Sequence, residues 1–103
     1  MNKDTIEIMY DKRSCLWSKD VGHNYQYVKS QMSLTGEILR IRGWICLNDI
    51  YNALSMPRTK EGQIYGLVYD YKPVENLFEL ITDFDTDNLI IRVNNVVNLL
   101  EVL

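Results

Sequence analysis

Residues 5–10, TIEIMY, alternate: Ile6, Ile8 and Tyr10 are separated by Thr5, Glu7 and Met9. A period of two sends one set to a core and the other to solvent, so the stretch predicts a half-buried strand. The next residues, DKRSCLWSKDVGHN, are dense in turn formers and predict a loop that tucks Leu16 and Trp17 onto the core. From Asn24, read as an N-cap, to about Arg42, the apolar residues Val28, Met32, Leu34, Ile38, Leu39 and Ile41 recur at steps of three and four. That spacing predicts one long helix with a single apolar face. Gly36 in its interior costs about 1 kcal/mol relative to alanine, which points to a close crossing or a partner's backbone at that place. Gly43 stands where helices end in a left-handed residue.

Beyond Gly43, WICL is short and extended, and Asn48 is read as the cap of a second helix over DIYNALS, with Asp49 in its first turn and Ile50, Ala53 and Leu54 inward. Pro57 bars its predecessor from the helical region, so this helix stops by Ser55. RTKEGQIYG allows a further turn of helix, weakened by Gly62 and Gly66. LVYDYK, NLFELITDF and NLIIRV read as strands, the last two joined across Asp85 to Asn88, and VVNLLEVL as a final strand or short helix. Asn94 and Asn95, between apolar runs, suit the positive φ of a two-residue hairpin. The sum is an α+β fold: one long and one or two short helices packed on a small, mainly antiparallel sheet. A chain of 103 residues forms a single domain, 1–103, since either half alone would lack a sufficient core.

Composition refines this picture at four points. The chain is 47% apolar, too much for a disordered protein. Met1–Tyr10 holds two acids and no apolar run of signal-peptide length, and no stretch approaches the ~20 apolar residues of a membrane span. Cys15 and Cys46 share no local spacing and are expected to be free thiols in a reducing cytosol. The net charge of −3 is unevenly spread: residues 27–61 carry five bases and three acids, residues 69–103 seven acids and two bases. An acidic C-terminal half repels phosphate backbones and favours a basic partner.

Four places invite a chemical reading. Leu47, Ile50, Leu54, Met56 and Ile64 stand where an AraC-type helix-turn-helix carries apolar residues, so the stretch resembles that motif. A DNA-binding regulator built on it would read the duplex with Arg58, Thr59, Lys60 and Gln63. Tyr51, Ser55 and Glu61 depart from the pattern, which wants alanine, glycine and an apolar residue there, and the stretch has little positive charge for phosphates. DFDTDN, from Asp83, begins like a calcium loop, but Asn88 and Asn94 occupy the places of its glycine and its closing glutamate. The bland reading is an acidic turn; the functional one is an anionic tip, Asp83, Asp85 and Asp87, that engages Arg or Lys on another protein. His23, with Asp20 and Cys15 nearby, lacks any oxyanion motif, and Arg40 and Arg42 read as a solvated helix end beside free carbonyls. No catalytic set, cofactor motif or metal motif is expected.

RGWICLNDIYNALSMPRT resembles a family of small phage and prophage proteins with no established activity. The matching residues are Gly43, Trp44, Leu47, Asn48, Asp49, Ile50, Tyr51, Leu54, Met56, Pro57 and Thr59, followed by GLVYD, similar to a strand of that family. The likeness covers about residues 25–95 and departs at Ser55 and after Pro73. It implies a phage source, a C-terminal hairpin and no catalytic residue. The expectation is then a non-enzymatic accessory protein of the host cytoplasm that binds a host or phage protein, for example to inhibit a defence nuclease. The rival expectations are the regulator and an assembly component that pairs with its own copies through the apolar end LLEVL.

Overall fold

The alternating stretch is strand β1, Asp4–Tyr10, with Ile8 and Tyr10 buried and Thr5, Glu7 and Met9 exposed, in the computed structural model, which describes residues 4–71, 77–83 and 88–102. It lies against β5, Asn88–Asn98, the longest strand, whose first half also pairs β4, Phe78–Asp83. The last residues of β5, Val97 and Asn98, pair β3, Tyr65–Val68, and β3 carries β2, Trp44–Cys46. All pairings among the described residues are antiparallel. With helices α1, Val21–Arg42, α2, Leu47–Ala53, and α3, Leu99–Val102, the fold is α+β, as the patterning predicts.

β5 does not turn at Asn94–Asn95; it runs through them. Asp4 faces Val96 and Ile6 faces Val93, so two steps on β1 match three on β5. The extra residue is a bulge, and Asn95 takes the left-handed conformation there (φ 64). The positive φ that the Asn pair suggests is therefore present, but it bends a strand and lets one chain segment serve both halves of the sheet. Asn94 stays on the sheet surface, accepting from the Thr5 hydroxyl at 3.2 Å. The stretch VVNLLEVL divides, with strand to Asn98 and helix from Leu99, whose N–H donates to the Ile64 carbonyl at 2.7 Å.

Helix α1 begins before Asn24. Asp20 is its N-cap, accepting from the His23 N–H at 3.2 Å. Asn24, 1% exposed, instead clamps the preceding loop: its Oδ1 accepts from the Ser18 N–H at 2.9 Å and its Nδ2 donates to the Ser18 carbonyl at 2.7 Å. Gly43 closes the helix in the left-handed region (φ 92) with its N–H on the Leu39 carbonyl, as expected. The buried face is Val28, Met32, Thr35, Gly36 and Leu39. Leu34, Ile38 and Ile41, expected on that face, lie outside it. In the preceding loop Trp17 packs on the core, whereas Leu16 is 47% exposed.

Helix α2 is capped by Cys46 and Asp49. The Asp49 carboxylate accepts from the Cys46 N–H at 2.9 Å and from Arg42 Nη2 at 2.6 Å. Burial alone would push this carboxyl up, but the Cys46 N–H and the Arg42 guanidinium together hold it below its ordinary value. Because the folded group titrates lower than the unfolded one, its stabilisation is complete above an unfolded pKa of about 4 and is lost as the pH falls through the folded value. Asp49→Asn is expected to cost about 1 kcal/mol at neutral pH and to flatten the acid limb of stability below about pH 4; urea melts at a series of pH values check both.

Candidate functional site

Arg58, Thr59, Lys60 and Gln63 do share one exposed turn, but they do not share a helix. After α2 the chain reverses at Ser55, left-handed with φ 56, and passes Pro57. Its next element is a single 3-10 turn, Glu61–Gln63. At about 2 Å per residue that turn is too short to lie along a major groove. Asn48 does not cap α2, contrary to its sequence reading. It reaches across to Thr59, donating from Nδ2 to the carbonyl and accepting from the N–H, both at 2.9 Å.

Of the acidic tip, Asp85 and Asp87 lie outside the described residues, and Asp83 is described only as the backbone end of β4. His23 and Cys15 are exposed and Asp20 is occupied as a cap. Among the described residues, no group of three His, Cys, Asp or Glu is placed to hold a metal, and no helix is long and apolar enough to cross a membrane. Both cysteines are free thiols.

Arg42 is more than a solvated helix end. Its Nε donates to the Trp44 carbonyl at 2.8 Å, its Nη2 meets Asp49, and its guanidinium lies over the Trp44 ring at 4.4 Å. One side chain thus ties α1, β2 and α2 together. Tyr27 adds a second tie from α1, donating to the Ala53 carbonyl at 2.8 Å.

These ties leave a groove of about 390 Å³ between α1 and α2 with Leu34, Ile38, Ile45 and Ala53 in its walls. Beside it runs an apolar stripe on α1: Leu34 is 58% exposed, Ile38 48% and Ile41 83%. The steps of four and three keep these residues on one side of the helix. Arg42 and Asp49 at the rim are already paired with each other. Periodicity alone could not separate this stripe from the core face, because both sets of residues are spaced for a helix.

On another side of α1 lies a cleft of about 370 Å³, bounded by β4. Met32, Phe78 and Leu80 form its apolar wall, and Tyr25, Lys29 and Arg40 are among its polar residues. No sequence signal marked it, since Phe78 and Leu80 are distant in the chain from the helix they face.

The outer face of the sheet is polar in the middle, where Arg92 sits between Glu7, 3.1 Å away, and Glu79, 3.3 Å away. These pairs are about half exposed and worth little each. The chain as a whole matches no protein-family model, no curated protein and no solved structure.

Proposed function

We propose that this protein is a non-enzymatic accessory protein that works by binding another protein, and that the stripe Leu34, Ile38 and Ile41 with its groove is the face that binds. The observation that carries this reading is that α1 is apolar on two sides, while the sheet buries only one of them. An exposed contiguous apolar patch is costly unless something covers it. Fully burying a side chain of this kind contributes roughly 1.5–3 kcal/mol, enough to outweigh part of the entropy lost on association. The rim charges are satisfied within the chain, so the partner chemistry that fits is an apolar helix face lying in the groove.

The resemblance of RGWICLNDIYNALSMPRT to phage proteins supports a host cytoplasm as the setting of such binding, with a defence nuclease as one suitable target. The balance of −5 over residues 69–103 supports a basic surface on that partner, met by Asp83, Asp85 and Asp87.

The test is capture from bacterial lysate by the intact protein and by its Ile38→Glu/Ile41→Glu variant. Both positions are well exposed, so the variant is expected to keep its far-UV circular dichroism and its stability within about 0.5 kcal/mol, yet to lose the captured protein. Capture that survives unchanged removes this face from the reading. A triple reversal of Asp83, Asp85 and Asp87 to Lys, run in parallel, is expected to weaken capture in low salt; equal capture removes the charge contribution and leaves the apolar one.

A further inference from the structure

We propose that the cleft between α1 and β4 receives an extended peptide strand, apolar at alternate positions and acidic at the end beside Lys29, which adds to the edge of β4 that no strand pairs among the described residues. The site lies on a different side of α1 from the stripe and does not depend on the reading given to it.

Three features converge there. β4 pairs β5 along one edge, and among the described residues no strand pairs the other. In an antiparallel strand alternate residues direct their N–H and C=O groups away from the existing neighbour, so this edge offers a ladder for a further strand. A strand added at such an edge gains affinity from main-chain hydrogen bonds and specificity from the pockets that take its alternate side chains.

Those pockets are supplied by the wall of the cleft. Phe78 and Leu80 are two apart on β4 and project on the same side, where Met32 of α1 faces them. Both remain partly exposed although they pack on the core. An incoming strand with apolar residues at every second position would cover them.

Charge sets the chemistry of its end. Lys29 makes no ion pair among the described residues; its ammonium sits 6.0 Å from the centre of the Tyr25 ring. Farther along the same side of α1, Arg40 shares its charge with Glu37 at 3.3 Å, both about half exposed. The Lys29 end is therefore the more electropositive, and a carboxylate is the group it selects. Eleven helical steps from Lys29 to Arg40 span about 16 Å, the length of about five strand residues. β4 itself is six residues long, so the helix wall and the strand edge match in reach.

The experiment titrates the intact protein, labelled with nitrogen-15, with the capped hexapeptide ETVTVT, whose Glu shares one face with its two valines, its lysine-headed counterpart KTVTVT, and ETVPVT, in which proline removes one main-chain donor. ETVTVT is expected to shift the amides of Phe78–Thr82 and of the Lys29 turn saturably and to slow exchange of alternate β4 amides. KTVTVT and ETVPVT are each expected to bind at least tenfold more weakly. In Lys29→Glu, a substitution at an exposed position, the order of ETVTVT and KTVTVT is expected to reverse. The proposal is overturned if millimolar ETVTVT leaves the β4 amides unmoved, if all three peptides bind alike, or if Lys29→Glu leaves the preference unchanged. Sodium acetate shifting Lys29 as ETVTVT does, with β4 silent for both, also overturns it. Ile38→Glu/Ile41→Glu should bind ETVTVT as the parent does, so a failure of the stripe reading and a failure of this one are read separately.

Discussion

Gly66→Ala is expected to lower the unfolding free energy by about 3 kcal/mol, the upper part of the range for overpacking a closed site. A side chain at residue 66 would meet backbone. Its Cβ would fall onto the Ile45 carbonyl oxygen, 2.7 Å from the Cys46 Cα and 2.9 Å from the Ile45 carbonyl carbon. Backbone atoms in a paired strand cannot rotate aside as the tip of a flexible side chain can, so β2 must move away from β3. Residue 66 pairs Cys46 on one side and Val97 on the other, hence the separation is felt on both sides of β3. A domain of this size is stable by roughly 5–15 kcal/mol, and a urea slope of about 1–2 kcal/mol per molar turns the loss into a midpoint lowered by about 2 M. Gly22→Ala is the control. There the Cβ meets only Asp20 Oδ1 at 3.3 Å, in the first turn of α1, and stability should change by no more than about 0.5 kcal/mol. Equal losses at the two glycines would mean that chain flexibility, and not the β2 contact, sets the cost.

The elements whose sequence signal is local were legible. β1 alternates and is buried on alternate residues; α1 ends at Gly43 because that residue alone takes the left-handed cap without a steric penalty. Pro57 stops α2 from continuing, although the helix already ends at Ala53. Where two local signals competed, the sequence was ambiguous. Asp20 and Asn24 both belong to the types that cap helices, and Gly22 between them weakens the local helix signal, so the sequence alone does not choose between the two caps. On α1 the apolar residues outnumber those that one face can hold. What chooses the buried set is tertiary, since Thr35 satisfies its hydroxyl on the Gln31 carbonyl at 2.8 Å and Gly36 has no side chain to place. Two polar or small positions are thereby buried, and three apolar ones are left outside.

The candidate binding faces were less legible, for the same reason. The α1–α2 groove needs Arg42 to reach Asp49, seven residues on, and the α1–β4 cleft needs residues almost fifty apart to meet. Neither distance leaves a spacing in the sequence. The departure at Ser55 did carry information: the position where a helix-turn-helix wants glycine is a left-handed residue here, reached without glycine. That costs roughly 1–2 kcal/mol of backbone strain, and the hydrogen bond from the Met56 N–H to the Tyr51 carbonyl at 2.9 Å helps to hold the reversal.

The same reversal makes Asn48→Ala the second large effect, with an expected loss of about 2–3 kcal/mol for two backbone groups deprived of their partners. Asn48 is 5% exposed, and its amide meets both polar groups of the Thr59 backbone. The Thr59 hydroxyl then accepts from the Gly62 N–H at 2.9 Å. Gly62 is small by necessity, because a Cβ there would run into the Asn48 amide and lie 2.9 Å from the Thr59 hydroxyl. The turn that displays Arg58, Thr59, Lys60 and Gln63 is therefore held by a side-chain clamp, where a regulator would hold it by a helix. Asn48→Asp distinguishes hydrogen bonding from packing: it keeps the acceptor for the Thr59 N–H but sets a carboxylate oxygen against the Thr59 carbonyl, so it should lose nearly as much as alanine does. In hydrogen exchange, the Thr59 and Gly62 amides should lose protection in both variants beyond the global loss, while Ile91 and Val93 in β5 track the global change alone. A Thr59 amide still protected in Asn48→Ala, with stability unchanged, would show that the turn is held by α2 and the 3-10 segment without the clamp.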